Sequence, residues 1–341
     1  MGAEALRVGI AGLGRLGRRH ARNLAERVPG AQLVAAASPV PEELAWAREA
    51  LGVAALYPDY DALLRHPGLD AVFLVTPTAL HARQLEQALA AGKHVFCEKP
   101  LALEVADCER VEAAAARAPG LVAMVGFVRR FDPSYQDAHA RIQAGQIGRP
   151  FLVRSQTGDK LDPSGFFVRF APTSGGIFLD CSIHDVDLAR WLLGGPRARR
   201  VYATGTVAVH EDLRPVGDVD NGLGVVEFAD GRLACLYASR TLAHGHDTHT
   251  EVVGTAGSLS VGVNPRANRV ELADGHGVRN LCVADFYERF EEAFLREAQA
   301  FVDCARKGDP PPLALSDATE ATRIGRALAE AQRGGRIVDL G

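Results

Sequence analysis

The stretch Leu6–His20, LRVGIAGLGRLGRRH, decides the fold. Leu6–Ala11 is an apolar run of strand character, and Gly12, Gly14 and Gly17 then spell G-x-G-x-x-G where that strand ends and a helix begins. The context gives the pattern its meaning. The glycines allow a tight turn and close approach of the backbone to a pyrophosphate, while the helix N-terminus offers unpaired N–H groups and positive potential. Gly12, Leu13, Gly14, Arg15, Leu16 and Gly17 are therefore the expected phosphate loop of a dinucleotide site. The plainer reading, a glycine-rich turn that holds nothing, fits the strand–loop–helix context less well.

Outward from this loop, short apolar runs alternate with helical patterns. A helix to about Arg27 is followed by QLVAAAS (Gln32–Ser38), a helix from Pro41, DAVFLVT (Asp70–Thr76), a helix over Leu80–Ala91, KHVFCE (Lys93–Glu98), a helix over Val105–Arg117, and LVAMVGF (Leu121–Phe127). This rhythm predicts an α/β domain with a doubly wound parallel sheet buried on both faces. From about Gly148 the strands lengthen and alternate, as in LGVVEFADGRLACLYA (Leu223–Ala238) with a hairpin signal at Asp230-Gly231. The second half reads as an α+β domain with a large, mostly antiparallel open sheet. Late amphipathic helices, Phe286–Arg306 and Ser316–Gln332, flank the connector Pro310–Pro312. A chain of 341 residues exceeds one ordinary core, so two domains are expected, residues 1–127 and 128–341.

Composition narrows the partners. The chain is 47% hydrophobic and 23% charged, with a formal net charge of -4 and no basic block, which argues against nucleic acid or an anionic membrane. It has no long uncharged apolar run, and Met1–Leu6 lacks signal-peptide character, so a cytoplasmic protein acting on small molecules is expected. The cysteines Cys97, Cys108, Cys181, Cys235, Cys282 and Cys304 lie far apart, as reduced thiols do, with no metal-ligand spacing. Among 38 basic side chains only Lys93, Lys99, Lys160 and Lys307 are lysines. A lysine in a chain that otherwise chooses arginine suggests a need for a titratable amine.

Lys99 lies in Glu98-Lys99-Pro100 at the carboxyl end of a strand, the edge where ligands bind in this architecture. At the end of the second strand, where an acid would pair with the ribose of NAD, the chain has Ser38-Pro39, so the cofactor reads as NAD or NADP, with Arg15 a candidate countercharge for a 2′-phosphate. The segment SGGIFLDCSIHDVDLARWLLGG (Ser174–Gly195) places Asp180, His184 and Asp187 at i, i+4 and i+7 of an expected single helix, on one face among Ile177, Ile183, Leu188 and Trp191. A polar stripe beside core residues is costly unless satisfied or used. Either the residues pair internally, or Asp180 or Asp187 orients His184 as a general base for a substrate hydroxyl.

Together AGLGRLGRRHARNL, VTPTALHARQLEQALAAGKHVFCEKPLAL, GFVRRFDPSY and GGIFLDCSIHDVDLARWLLG resemble the glucose-fructose oxidoreductase/inositol dehydrogenase/rhizopine catabolism (Gfo/Idh/MocA) family nearly end to end, most closely its inositol 2-dehydrogenase branch. The resemblance implies a Rossmann domain followed by an open-sheet α+β domain, often assembled as a homotetramer through that sheet. It implies Lys99, Asp180 and His184 as the catalytic set, Thr76, Pro77, His81 and Glu98 near the cofactor, and Arg129 near the substrate. The implied reaction is oxidation of a ring CH–OH of a cyclic polyol to a ketone. A sugar or aldose dehydrogenase and a non-catalytic dinucleotide-sensing regulator are the alternatives. One departure concerns specificity: where inositol dehydrogenases carry an aromatic G-Y-D motif, this chain reads HGHDTHTE, with His244, His246 and His249. His246 is then the residue expected in the substrate pocket, with Asp159 a further candidate contact.

Overall fold

Strand β1 (Leu6–Ala11) is central to its sheet because it is apolar towards both faces; every residue from Val8 to Ala11 is buried. The computed structural model describes residues 4–341. After β1 come α1 (Arg15–Glu26), β2 (Ala31–Ala37), α2 (Pro41–Leu51), β3 (Ala55–Tyr57), α3 (Tyr60–Leu64), β4 (Ala71–Leu74), α4 (Thr78–Ala90), β5 (His94–Glu98), α5 (Val105–Ala116) and β6 (Ala123–Gly126). The six strands are parallel in the order β3-β2-β1-β4-β5-β6. The order reverses between β1 and β4, so the loops leaving their carboxyl ends open a crevice there, the usual ligand position in such sheets.

The chain continues with α6 (Pro133–Gln143), β7 (Pro150–Lys160), α7 (Phe166–Ser174), α8 (Ile177–Asp180), α9 (Ile183–Leu192), β8 (Ala198–Thr206), β9 (Asn221–Phe228), β10 (Leu233–Leu242), β11 (Asp247–Gly254), β12 (Gly257–Val261), β13 (Glu271–Asp274), β14 (Gly277–Asn280), α10 (Phe286–Lys307), α11 (Leu315–Gly334) and β15 (Val338–Asp339). The main sheet of the second unit runs β12-β11-β7-β10-β9-β8-β15 and is antiparallel except for the pair β10 and β7. The hairpin signal is realised: Gly231 adopts φ +84° and Leu233 pairs with Glu227. Alternation along β9 and β10 buries Gly224, Val226, Ala234 and Leu236 and turns Leu223, Val225, Leu233 and Cys235 outward.

The chain forms two compact units, and the first is made of two segments: the residues up to Val128 and Glu292–Thr319. The contiguous domain expected over residues 1–127 omits the second segment. Its return has a physical cause. Phe73 and Phe96 stack at 4.4 Å on β4 and β5, and Phe301 of α10 packs edge-on against them at 5.3 and 5.9 Å. All three are fully buried, each worth about 1.5–3 kcal/mol in removal from water.

The single helix expected across Asp180, His184 and Asp187 is interrupted. Ser182 N–H donates to the Ile177 carbonyl, five residues back, and His184 N–H to that of Cys181, three back, so α8 ends at Asp180 and α9 starts at Ile183. The i, i+4 geometry assumed for Asp180 and His184 therefore does not hold.

Candidate active site

In the first unit the glycines of the loop divide into two roles. Gly12 has φ +91°, and a Cβ there would stand 2.3 Å from the Val75 carbonyl oxygen; one on Gly17 would stand 2.1 Å from that of Gly12. These two positions hold loop, helix and β4 together. A Cβ on Gly14 would meet nothing nearer than Glu43 Oε1, at 3.9 Å. Gly14 is exposed and N-caps α1 with no side-chain hydrogen bond to the helix amides. Open backbone at a helix N-terminus is what a pyrophosphate requires, so the loop fits a dinucleotide. Leu13 is fully buried and offers only its backbone, Leu16 is partly buried, and Arg15 is exposed.

The neighbouring strand ends are fixed by side chains. His81 on α4 reaches the Thr76 carbonyl through Nε2 and the Pro100 carbonyl through Nδ1, both at 2.8 Å. Burial lowers its pKa, against the two carbonyls and Glu98, and the neutral ring donates through one nitrogen at a time. The Thr76 hydroxyl donates to Gln84 at 2.5 Å, so the Thr76-Pro77 turn is held from α4. Ser38 is buried and its hydroxyl donates to Glu43 Oε2 at 2.5 Å.

Glu98 is held from behind. Its Oε1 lies 2.7 Å from His20 Nε2, and its Oε2 accepts the Lys99 N–H at 3.2 Å. Glu297, fully buried on α10, completes a cluster whose ligand-type atoms lie within 4.8 Å of one another. The His20–Glu98 distance is that of a hydrogen bond, shorter than the roughly 3.3 Å edge of a tetrahedron built on bonds of about 2.0–2.1 Å. Burial, with Glu98's charge added, raises the Glu297 pKa well above the ordinary carboxylate value. This cluster lies directly behind the backbone that presents Lys99. Among the sequence readings, only Glu98 of the three was anticipated; His20 and Glu297 carry no local signal beyond lying on amphipathic helices.

In the second unit, Gly175 and Gly176 adopt φ +83° and +87°, and Asp218 Oδ1 accepts the Ile177 N–H at 3.0 Å, starting α8 where Asp180 can be presented. Asp180 is salt-bridged to Arg240 on β10, whose guanidinium also lies 3.6 Å over the Phe167 ring. Asp159 on β7 accepts from His246 Nδ1 at 3.0 Å and from the Cys181 thiol at 3.6 Å. Burial pushes the Asp159 carboxyl up, but the His246 hydrogen bond and charge, with Arg240's charge, hold it down to about 2. Asp159, Asp180, Cys181, Arg240 and His246 thus form one network. His246 is 2% exposed, and its Nε2 has no hydrogen-bond partner among the described residues.

Two candidates are occupied elsewhere. Arg129 is buried and donates to Asp185 at 2.9 Å and to the Thr157 hydroxyl at 2.6 Å; Asp185 also accepts from Ser155 and Thr157, each at 2.6 Å. Asp187 is gripped by Arg130 through two bonds of 2.6 and 2.9 Å, both side chains buried. Sequence reading missed Asp185 and Arg240. A signal existed: Ser155, Thr157 and Asp159 put three polar residues on one face of β7, which marks a buried network rather than a packed core.

Comparison with known proteins gives a consistent picture. The Gfo/Idh/MocA oxidoreductase family, NAD-binding Rossmann fold, matches residues 6–127, and the family's C-terminal domain matches residues 135–260. The chain is 39% identical to the scyllo-inositol 2-dehydrogenase (NAD(+)) of Bacillus subtilis, covering 98% of this chain and 96% of that one. It is 34% identical to the myo-inositol 2-dehydrogenase of Thermotoga maritima, covering 98% of each. A crystal structure of scyllo-inositol dehydrogenase from Lactobacillus casei with bound NAD(H) and scyllo-inositol superposes with a TM-score of 0.95 at 39% identity, over 98% of this chain and 99% of that one.

Proposed function

The chain belongs to the Gfo/Idh/MocA oxidoreductase family, and from that premise we propose that it is an NAD-dependent inositol 2-dehydrogenase, converting scyllo- or myo-inositol to an inosose. The observation that carries this reading is likeness over almost the whole chain to inositol 2-dehydrogenases, at 39% identity to the scyllo enzyme. The open Gly14 backbone and the orphan His246 Nε2 support it, one fitting a pyrophosphate and the other a ligand hydroxyl.

NAD, when bound, would supply the hydride acceptor for the oxidation of the ring carbon. His184 accepts the hydroxyl proton, Lys99 binds the reacting oxygen and stabilises its developing negative charge, and Asp180, set by Arg240, aligns the base. Asp159 and His246 bind ring hydroxyls away from the reacting carbon. Arg129 works through Asp185 and Thr157, holding β7 so that Asp159 is presented correctly. Thr76, Pro77 and His81 shape the nicotinamide end of the cofactor crevice, and Lys99 borders it.

The outward face of the large sheet, with Tyr202, Leu223, Val225, Leu233 and Cys235 exposed together across β8, β9 and β10, supports a homotetramer formed through that sheet. Val225→Glu is expected to reduce the sedimenting mass. Among the described residues no helix is long and apolar enough to cross a membrane. Six unbridged cysteines fit work in the cytosol, where soluble NAD is the oxidant.

The test is to incubate the protein with NAD or NADP and a panel of inositols and aldoses while following absorbance of the reduced cofactor. Turnover with scyllo- or myo-inositol and NAD is expected. Turnover confined to aldoses would replace the reading with a sugar dehydrogenase, and silence despite nucleotide binding would replace it with a dinucleotide-sensing regulator.

A further inference from the structure

The usual place for a nucleotide-selecting acid, the end of β2, holds Ser38 and Pro39. An acid nevertheless reaches this place from the next helix. Glu43 lies in the first turn of α2, five residues after Ser38, and its carboxylate spans two parts of the crevice. Oε2 accepts the Ser38 hydroxyl at 2.5 Å, while Oε1 is the atom nearest to where a Cβ on Gly14 would stand, at 3.9 Å. Ser38 is oriented in turn, since its Oγ accepts the Val40 N–H at 3.1 Å.

This carboxylate is anchored by its surroundings. Trp46, one turn along α2 from Glu43, receives the Arg18 guanidinium over its ring at 5.0 Å. Arg18 Nε also donates to the Leu13 carbonyl at 3.2 Å. Arg18 therefore ties α2 to the glycine loop, and Glu43 keeps a fixed distance from the backbone on which a pyrophosphate would rest.

We propose that Glu43, oriented by Ser38, is the residue that selects NAD over NADP, by accepting hydrogen bonds from the adenosine ribose hydroxyls and repelling a 2′-phosphate. The inference rests on the reading of the loop as a dinucleotide site. It resolves the choice that Ser38-Pro39 alone leaves open between NAD and NADP, because a serine that would tolerate a phosphate instead holds an acid in front of it. A first-turn acid can also serve α2 through the helix dipole, but that role would leave the choice between the two cofactors unchanged.

Fluorescence titration of the full chain with NADH and NADPH separates these cases without any turnover assay. The wild type is expected to bind NADH at least about a hundredfold more tightly than NADPH. Glu43→Gln should weaken NADH roughly tenfold, the size of losing a hydrogen bond to a charged group, and strengthen NADPH by about as much or more. Ser38→Ala should shift the ratio in the same direction by less, and Glu43→Asp should weaken NADH while still rejecting NADPH. These two variants keep the test decisive if Glu43→Gln does not fold. A wild type that prefers NADPH, or variants that keep the wild-type ratio, would overturn the inference while leaving the dinucleotide site standing. A wild type that binds neither nucleotide would overturn the dinucleotide reading itself, and the inference with it.

Discussion

The two units build their candidate functional residues by different means. Around Gly12–Gly17 the working parts are backbone: left-handed φ, space where a Cβ is missing, and amides at a helix start. Around Asp180 the working parts are side chains far apart in sequence, with Asp180 paired to Arg240 and Asp159 to His246. Backbone requirements are met by residue types at fixed short spacings. Charge networks are met by whichever residues the sheet register brings together.

Lys99→Arg tests the sharpest claim, that the backbone-built half delivers a titratable amine rather than a charge. Turnover is expected to fall by about 10²- to 10⁴-fold, with NADH binding retained. Near-normal kcat would remove Lys99 from the chemistry. Arg240→Met strikes the other half by removing the guanidinium bridged to Asp180, and should cost about 3–5 kcal/mol in denaturant unfolding. Its NADH affinity should stay close to wild type if the halves are independent in construction. Gly12→Ala is the converse experiment. A side chain at φ +91° costs about 1–2 kcal/mol before any clash with the Val75 carbonyl, and NADH binding should fall at least tenfold.

The smallest effect concerns pH. The raised pKa of Glu297 means that its contribution to stability is fully present below the pKa of the unfolded carboxyl and is lost as pH rises towards the folded value. Glu297→Gln removes the proton requirement, so thermal unfolding temperature should decline less than in the wild type as pH rises from the ordinary carboxylate range upward. The limit is about 1.4 kcal/mol per pH unit for one proton. Identical slopes would mean that Glu297 is not the proton-bearing member of its cluster.

This contrast also explains what could be read from sequence. The parallel sheet, the phosphate loop and the position of Lys99 at a strand end were legible because Gly12, Gly14, Gly17 and the apolar runs encode them locally. The open antiparallel sheet was legible from alternation and from Asp230-Gly231. The break after Asp180 was not, because Cys181 and Ser182 are ordinary in a helix and only the hydrogen-bond shifts around Ile177 reveal it. Arg240, one arginine among many, acquires meaning only when β10 places it beside Asp180. Glu43 carried no signal because an acid of this kind ordinarily ends the second strand, whereas Glu43 stands on the helix that follows.

The return of Glu292–Thr319 to the first unit has a consequence during synthesis. Phe73 and Phe96 emerge from the ribosome long before Phe301, which packs against them. The 205 residues from Phe96 to Phe301 take roughly ten to forty seconds to translate at about 5–20 residues per second. For that interval the nascent nucleotide-binding half carries an uncovered aromatic surface and an acid, Glu98, whose buried neighbour has not yet been made. A fragment ending near residue 128 would keep that surface permanently, so it should be the aggregation-prone piece of this protein and a natural client for holding chaperones.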